Sequence, residues 1–106
     1  MTSFHYKNHR HNRENFIEQH LCDDGIMVDG FIVNRKHKNG LEMHSITDKG
    51  IIIIHNFDSG KLITKLIARE NQIKRYYELS GRKPPPEYDN ILNLARLHEK
   101  LGYNSI

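Results

Sequence analysis

Hydrophobic residues follow two different periods along this chain, and the two periods predict two kinds of secondary structure. Four segments in the middle of the chain are rich in Ile, Leu and other residues that favour β-strands. Their predicted bounds are 26–36, 41–47, 51–57 and 61–68. The turn sequences between them are Asn39-Gly40, Asp48-Lys49-Gly50 and Asp58-Ser59-Gly60. Because no helix fits between these segments, the sequence predicts a four-stranded antiparallel meander.

Helical periodicity appears once before the predicted sheet and twice after it. Apolar residues at helical spacing predict an N-terminal helix that begins near Asn12 and ends before Asp23. The two later helices are predicted over about residues 70–80 and 88–101, and Gly81 ends the first of them. A basic, proline-rich connector separates these two helices.

The predicted fold class is α+β, with an N-terminal helix, a four-stranded antiparallel meander sheet and two C-terminal helices. At 106 residues the chain has room for one domain. We therefore predict a polar N-terminal arm over residues 1–12 and a single domain over 13–106. Its sheet core covers about residues 26–68.

The turn lengths predict the register of the sheet, and the register decides which side chains share a face. A two-residue loop at Asn39-Gly40 places Arg35 opposite His44. Three-residue loops at the other two turns place His44 opposite Ile54, Ile54 opposite Thr64, and Asn56 opposite Leu62. One face is then apolar at one end, where a helix can pack, and polar at the other end. The polar end gathers Arg35, His37, Glu42, His44, Asn56 and Thr64.

This polar end contains the groups that acid–base cleavage of a phosphodiester requires. RNA supplies its own nucleophile, the 2′-hydroxyl, so a metal-free ribonuclease needs a base, an acid and a cation for the phosphorane charge. His44 and Glu42 lie at i, i+2 on one side of a strand and are the predicted acid–base pair. Arg35 and Arg69 are predicted phosphate clamps. The alternative interpretation is an ordinary solvated sheet end, with His44 and Glu42 as a simple pair.

Basic residues are concentrated in the last strand and just after it. The whole chain carries a formal charge of +3, whereas residues 60–83 contain seven basic and two acidic residues, a local charge of +5. Such a segment favours binding of a polyanion, because contacts with phosphates release counterions. The alternative interpretation is a basic face that is only solvated. Tyr76 adds a ring that can stack on an unpaired base. The predicted RNA-binding residues are Lys61, Lys65, Arg69, Lys74, Arg75 and Tyr76.

The composition narrows the remaining classes of function. No apolar run approaches the roughly 18 residues of a membrane span, and the N-terminus does not have the apolar core of a signal peptide. The single Cys22 excludes a disulfide framework and favours the cytoplasm. The cluster of His5, His9 and His11 suggests a metal-binding site, but no nearby cysteine or paired carboxylate completes a set of ligands. We therefore expect a polar arm there, and we expect no metal or other cofactor.

The segment Ile51 to Thr64, IIIIHNFDSGKLIT, resembles the last hairpin of the barnase–EndoU–colicin–RelE-like ribonuclease superfamily. Its members are small ribonucleases in which an N-terminal helical part packs on a four-stranded antiparallel meander, and toxins and phage effectors are frequent among them. The resemblance implies that Thr64 supplies an active-site hydroxyl. In that superfamily the first helix bears a histidine and an arginine. The resemblance also implies that His9 or His11, together with Arg13, occupies the corresponding positions in this chain.

Three functions are compatible with these residues. The first is a small cytoplasmic RNA-binding protein that cleaves RNA without a metal ion, in which His44 and Glu42 act as acid and base. The second is a non-enzymatic phage-type inhibitor, similar to an anti-CRISPR protein, which binds a ribonucleoprotein or its RNA through residues 60–83. The third is a dimeric structural module that pairs through the C-terminal helix. Cleavage of RNA distinguishes the first function from the second.

Overall fold

A computed structural model of the chain describes residues 24–35 and 40–103. Its strands form one antiparallel sheet in the order in which they follow along the chain. The elements are β1 (Met27–Arg35), β2 (Gly40–Thr47), β3 (Ile51–Asn56), β4 (Leu62–Ile67), α1 (Glu70–Ser80) and α2 (Tyr88–Lys100). The α+β class, the meander sheet and the two C-terminal helices are therefore confirmed. The predicted N-terminal arm and helix, Cys22 and His37 lie outside the described residues.

Two local features show why the chain turns where it does. After β2, the side-chain oxygen of Thr47 accepts hydrogen bonds from the backbone N–H groups of Lys49 and Ile51, at 3.3 and 3.2 Å. At the end of α1, Gly81 has a φ of 68°, in the left-handed region, and its N–H donates to the carbonyl of Tyr77. A glycine adopts this conformation without strain, so Gly81 ends α1 as predicted.

The predicted register is confirmed between β2 and β3 and in part between β3 and β4. His44 lies opposite Ile54, and Ile54 lies opposite Thr64. At the end of the last hairpin His55 is paired with Leu62, so one extra residue of β4 is accommodated in a bulge. The predicted pairing of Asn56 with Leu62 is therefore wrong. The side chain of Asn56 instead accepts a hydrogen bond from the backbone N–H of Ser59, within the turn.

The predicted register between β1 and β2 is wrong by four residues. Phe31 rather than Arg35 lies opposite His44, and Arg35 lies opposite Gly40. Four residues, 36–39, therefore separate the paired strand ends, in place of the two-residue loop at Asn39-Gly40. Because the side chains of a strand alternate with a period of two, a slide of four residues leaves each of them on its predicted face.

Both helices pack on the sheet face that carries the predicted site. The core on this side combines apolar residues of the sheet and the two helices: Phe31, Ile46, Ile52, Ile54, Ala68, Ile73, Tyr77, Ile91, Leu92 and Ala95. A smaller apolar cluster is formed by Ile51 and Ile67, with Ile53 and Tyr103 packed against them. Neither of the two described helices is long and apolar enough to cross a membrane.

His98 is a buried polar residue within this packing, on α2. The residue is only 4% exposed. Its ring lies beside the ring of Tyr103, and the two ring centroids are 5.8 Å apart. Within the part of the chain that the structure describes, its Nδ1 has no hydrogen-bond partner. Burial lowers the pKa of His98, because the charged imidazolium loses its hydration there.

We expect protonation of His98 to destabilise the fold in mild acid. The folded protein keeps this imidazole neutral, whereas the unfolded chain takes up a proton near the ordinary pKa of 6.5. The free energy of unfolding is therefore retained above this pH and falls as the pH decreases below it. Urea unfolding at about pH 7.5 and about pH 5.5 measures the loss, which is expected to be larger for the wild type than for His98→Leu. Equal losses in the two proteins would contradict this assignment.

Candidate functional site

A chain of polar side chains crosses the interface between the sheet and α1. Glu42 and His44 are two residues apart on β2, so both face the helices, and they are only 4% and 2% exposed. Nε2 of His44 lies 2.9 Å from Oε1 of Glu42, and Nδ1 lies 2.6 Å from the hydroxyl oxygen of Tyr76 on α1. Both ring nitrogens of His44 are therefore hydrogen-bonded.

The chemistry of Glu42 and Tyr76 determines which atom carries the proton in each hydrogen bond to His44. Because the carboxylate of Glu42 can only accept a hydrogen bond, Nε2 of the neutral imidazole carries the proton. Nδ1 then accepts a hydrogen bond from the hydroxyl of Tyr76. Burial raises the pKa of Tyr76 to about 12, so this hydroxyl keeps its proton at neutral pH. The order carboxylate, imidazole, hydroxyl is the arrangement in which a histidine can take the proton of a hydroxyl group.

Arg35 extends the polar chain to the surface. Its Nε lies 3.6 Å from Oε1 of Glu42, and its side chain is 48% exposed. The predicted register placed Arg35 opposite His44, whereas in the structure Arg35 lies opposite Gly40, at the start of β2. The long side chain nevertheless reaches back to Glu42, so three of the four predicted catalytic residues, Arg35, Glu42 and His44, are brought together.

A groove of about 590 Å³ lies between β1 and α1, and the polar chain forms part of its wall. Gln72, Arg75, Tyr76 and Leu79 face it from α1, at the i, i+3, i+4, i+7 spacing of one helix face. Arg35 and His44 line it from the sheet. A groove of this volume is within the range of small-ligand sites and has room for a nucleotide.

The ring of Phe31 holds Tyr76 in place in the wall of the groove. The rings of Phe31 and Tyr76 are stacked, with centroids 5.1 Å apart and an interplanar angle of 23°. The guanidinium of Arg82 lies 4.0 Å from the centroid of the Phe31 ring, and Arg82 also donates to Asp29 at 2.8 Å. The Tyr77 ring packs edge-on against Phe31, and its hydroxyl donates to Asp29 at 3.0 Å. These contacts leave Phe31 only 5% exposed in the wall of the groove, so the main role of its ring is to support Tyr76.

The predicted RNA-binding residues do not form one surface. Arg75 and Tyr76 line the groove. Three of the other cations are in ion pairs: Lys65 with Asp24 at 2.9 Å, Arg69 with Glu99 at 3.8 Å, and Lys74 with Glu70 at 3.6 Å. Lys61 is exposed just before β4 and does not line the groove.

Thr64 is also separated from the groove. It is buried on β4, opposite Ile54, which in turn lies opposite His44. Two strand spacings put its backbone about 10 Å from that of His44. Thr64 therefore belongs to the same row of the sheet as His44 but does not line the groove.

Several residues that line the groove were not singled out from the sequence, among them Phe31, Gln72 and Leu79. Gln72 and Leu79 share the helix face of Arg75 and Tyr76, so their spacing could have identified them once one face of α1 was chosen. Phe31 lies in an apolar run that indicates only a strand, and nothing in that run predicts the partner of its ring.

Comparison with known proteins finds no matching family model, no matching curated protein and no matching solved structure. The resemblance to the ribonuclease superfamily therefore stays a prediction. Among residues 24–35 and 40–103, no cluster of three or more His, Cys, Asp or Glu side chains has the arrangement of a metal site. The histidine cluster His5, His9 and His11 lies outside these residues.

We expect His44→Ala to lower the free energy of unfolding by about 3 kcal/mol, because it removes the buried imidazole that is hydrogen-bonded to the buried Glu42 carboxylate. Arg35→Ala removes an ion-pair partner of Glu42 that is half exposed, and is expected to cost less than about 1 kcal/mol. Urea unfolding of both variants measures the difference. A cost for His44→Ala no larger than that for Arg35→Ala would show that the pair is not the main support of the Glu42 carboxylate.

Proposed function

We propose that this protein binds single-stranded RNA in the groove between β1 and α1 and cleaves it by acid–base chemistry that needs no metal ion. The observation that carries the proposal is the hydrogen-bonded series of Glu42, His44 and Tyr76, in which His44 and Tyr76 line the groove and Arg35 lies beside Glu42. A carboxylate, an imidazole and a guanidinium in contact are the groups that transfer of the 2′-hydroxyl to phosphorus requires.

The charges at the groove favour a phosphate ligand. Arg75 is exposed on the helix side and forms no ion pair with any described residue, and Arg35 is half exposed on the strand side. Two cations on opposite walls can contact successive phosphates or the two oxygens of one phosphate. Leu79, which is 77% exposed, adds an apolar surface on which a base can lie. An unpaired strand fits these features better than a duplex, because its bases are free to leave the stack.

A second candidate function is binding without cleavage, as in an inhibitor of a ribonucleoprotein. The observation that favours it is the burial of His44, which is 2% exposed and has both ring nitrogens bonded. In that case the polar chain would hold α1 on the sheet, and Arg35 and Arg75 would only anchor the phosphates. Cleavage of bound RNA decides between the two functions.

We expect Arg75→Ala to weaken binding of a fluorescent single-stranded RNA about tenfold at low salt, because one phosphate contact is lost. The slope of the logarithm of the affinity against the logarithm of the salt concentration should also fall by about 1. Fluorescence anisotropy over a salt titration measures both quantities. Lys100→Ala is the matched control, since it removes an exposed cation from the end of α2, away from the groove. Equal effects of the two substitutions would contradict binding in the groove.

Cleavage is tested on a panel of single-stranded and structured RNAs, with and without EDTA. We expect cleavage that persists in EDTA and is lost in His44→Ala, and we expect no cleavage of DNA of the same sequence, which has no 2′-hydroxyl. RNA that is bound but left intact would support the binding-only function. Cleavage that EDTA abolishes would contradict the metal-free mechanism, and equal cleavage by wild type and His44→Ala would place the activity elsewhere.

A further inference from the structure

We infer that the hydroxyl of Tyr76, rather than the imidazole of His44, is the group that contacts the RNA 2′-hydroxyl, and that His44 receives the proton through it. This inference rests on the proposed function and assigns the catalytic residue of that same site. The sequence singled out Tyr76 only as a ring that stacks on bases. Its position in the structure gives the hydroxyl a second role.

The imidazole of His44 has no free position for a substrate. Its ring has two nitrogens, and both are occupied, one by Glu42 and the other by Tyr76. Although His44 contributes to the wall of the groove, the residue is only 2% exposed, so its imidazole has no open surface large enough to contact a phosphodiester. A proton can therefore enter or leave His44 only along one of its two hydrogen bonds. One bond leads to the buried carboxylate of Glu42, and the other leads to the phenol that lines the groove.

The hydroxyl of Tyr76, in contrast, lies where a ligand in the groove can meet it. It is hydrogen-bonded to Nδ1 of His44, and the charges of Arg35 and Glu42 act on it. Arg35, Gln72, His44 and Tyr76 all line the groove, so the hydroxyl is at its polar end. The stacked ring of Phe31 restricts the phenol to this place. A hydroxyl held in this way can accept a hydrogen bond from a ligand while it donates to His44.

The protons of the cleavage step balance when they pass through Tyr76. The 2′-hydroxyl gives its proton to Oη of Tyr76 while Tyr76 gives its own proton to Nδ1 of His44. The 2′-oxygen forms a bond to phosphorus, the bond from phosphorus to the 5′-oxygen breaks, and the leaving oxygen takes a proton from water. The imidazolium, stabilised by Glu42, returns its proton through Tyr76 to the hydroxide that remains. The products are a 2′,3′-cyclic phosphate and a 5′-hydroxyl, with no net gain or loss of protons.

The acidity of the phenol explains why the two transfers occur together. Burial raises the pKa of Tyr76 to about 12, so a free tyrosinate is costly to form at neutral pH. When the phenol takes one proton as it gives up another, it never carries a full negative charge. Tyr76 is thus the catalytic residue, His44 holds the proton behind it, and Glu42 positions and stabilises the imidazole.

Tyr76→Phe tests the inference, because it keeps the stacked ring and removes only the hydroxyl. We expect kcat to fall about 100-fold or more, as for loss of an acid–base group, with KM unchanged within about twofold. Tyr77→Phe is the matched control. It removes the neighbouring hydroxyl, which is bonded to Asp29 and not to His44, and is expected to keep kcat within about twofold of the wild type. Thermal unfolding of each variant establishes that the assays are made on folded protein.

His44→Gln is the second variant, since an amide can still bond to Glu42 and Tyr76 but cannot take up a proton. We expect it to lose as much kcat as Tyr76→Phe, and the double variant to lose no more than either alone, because the two groups act as one unit. Losses that multiply in the double variant would overturn the inference.

The outcomes separate the inference from the proposed function on which it rests. If Tyr76→Phe binds and cleaves RNA like the wild type, the inference is wrong while the proposed function stands. If the wild type binds RNA and leaves it intact, both the cleavage and the inference fail. Products with 5′-phosphate ends would also overturn the inference, because the step above leaves a 5′-hydroxyl.

Discussion

The hydrogen bond between His44 and Tyr76 is the interaction on which the site depends. It joins residues 32 positions apart in the chain and fixes α1 against the sheet at the place where the groove begins. The bond is partly buried at the edge of the apolar core, beside Phe31, so this partial shielding from water makes it worth more than a fully exposed one. The same shielding makes every group in the chain dependent on its neighbours, since an unpaired polar group there would be costly.

The electrostatics of the molecule differ from what the charge count suggests. The segment 60–83 carries a local charge of +5, yet four of its seven cations are in ion pairs. Lys65, Arg69 and Arg82 pair with acidic residues elsewhere in the fold, and Lys74 pairs with Glu70 within α1. Arg82 is used to hold the connector after α1 on β1, through Asp29 and the ring of Phe31. The cation left at the groove is Arg75, and Arg35 faces it from the opposite wall. A polyanion would therefore be recognised by two arginines across a groove rather than by a broad basic surface.

Much of the sheet could be predicted from turn chemistry. The loop at Asp48-Lys49-Gly50 led to the correct register of β2 with β3, and Thr64 was correctly placed opposite Ile54. The bulge in the last hairpin and the longer connection after β1 could not be predicted. A short turn motif competes with the packing of a whole strand, and the packing of Phe31 between Tyr76 and Tyr77 is a tertiary gain that the local sequence does not contain.

The sequence by itself determined which side chains share a face, because strand alternation has a period of two and an even slide preserves it. It thereby determined that Glu42 and His44 face the helices together with residues of β1. Only the tertiary structure decided that Phe31 lies opposite His44, that Arg35 reaches Glu42, and that the partner of His44 is the hydroxyl of Tyr76. These are contacts between elements distant in the chain, and their geometry is set by how a helix and a sheet pack, which no local pattern encodes.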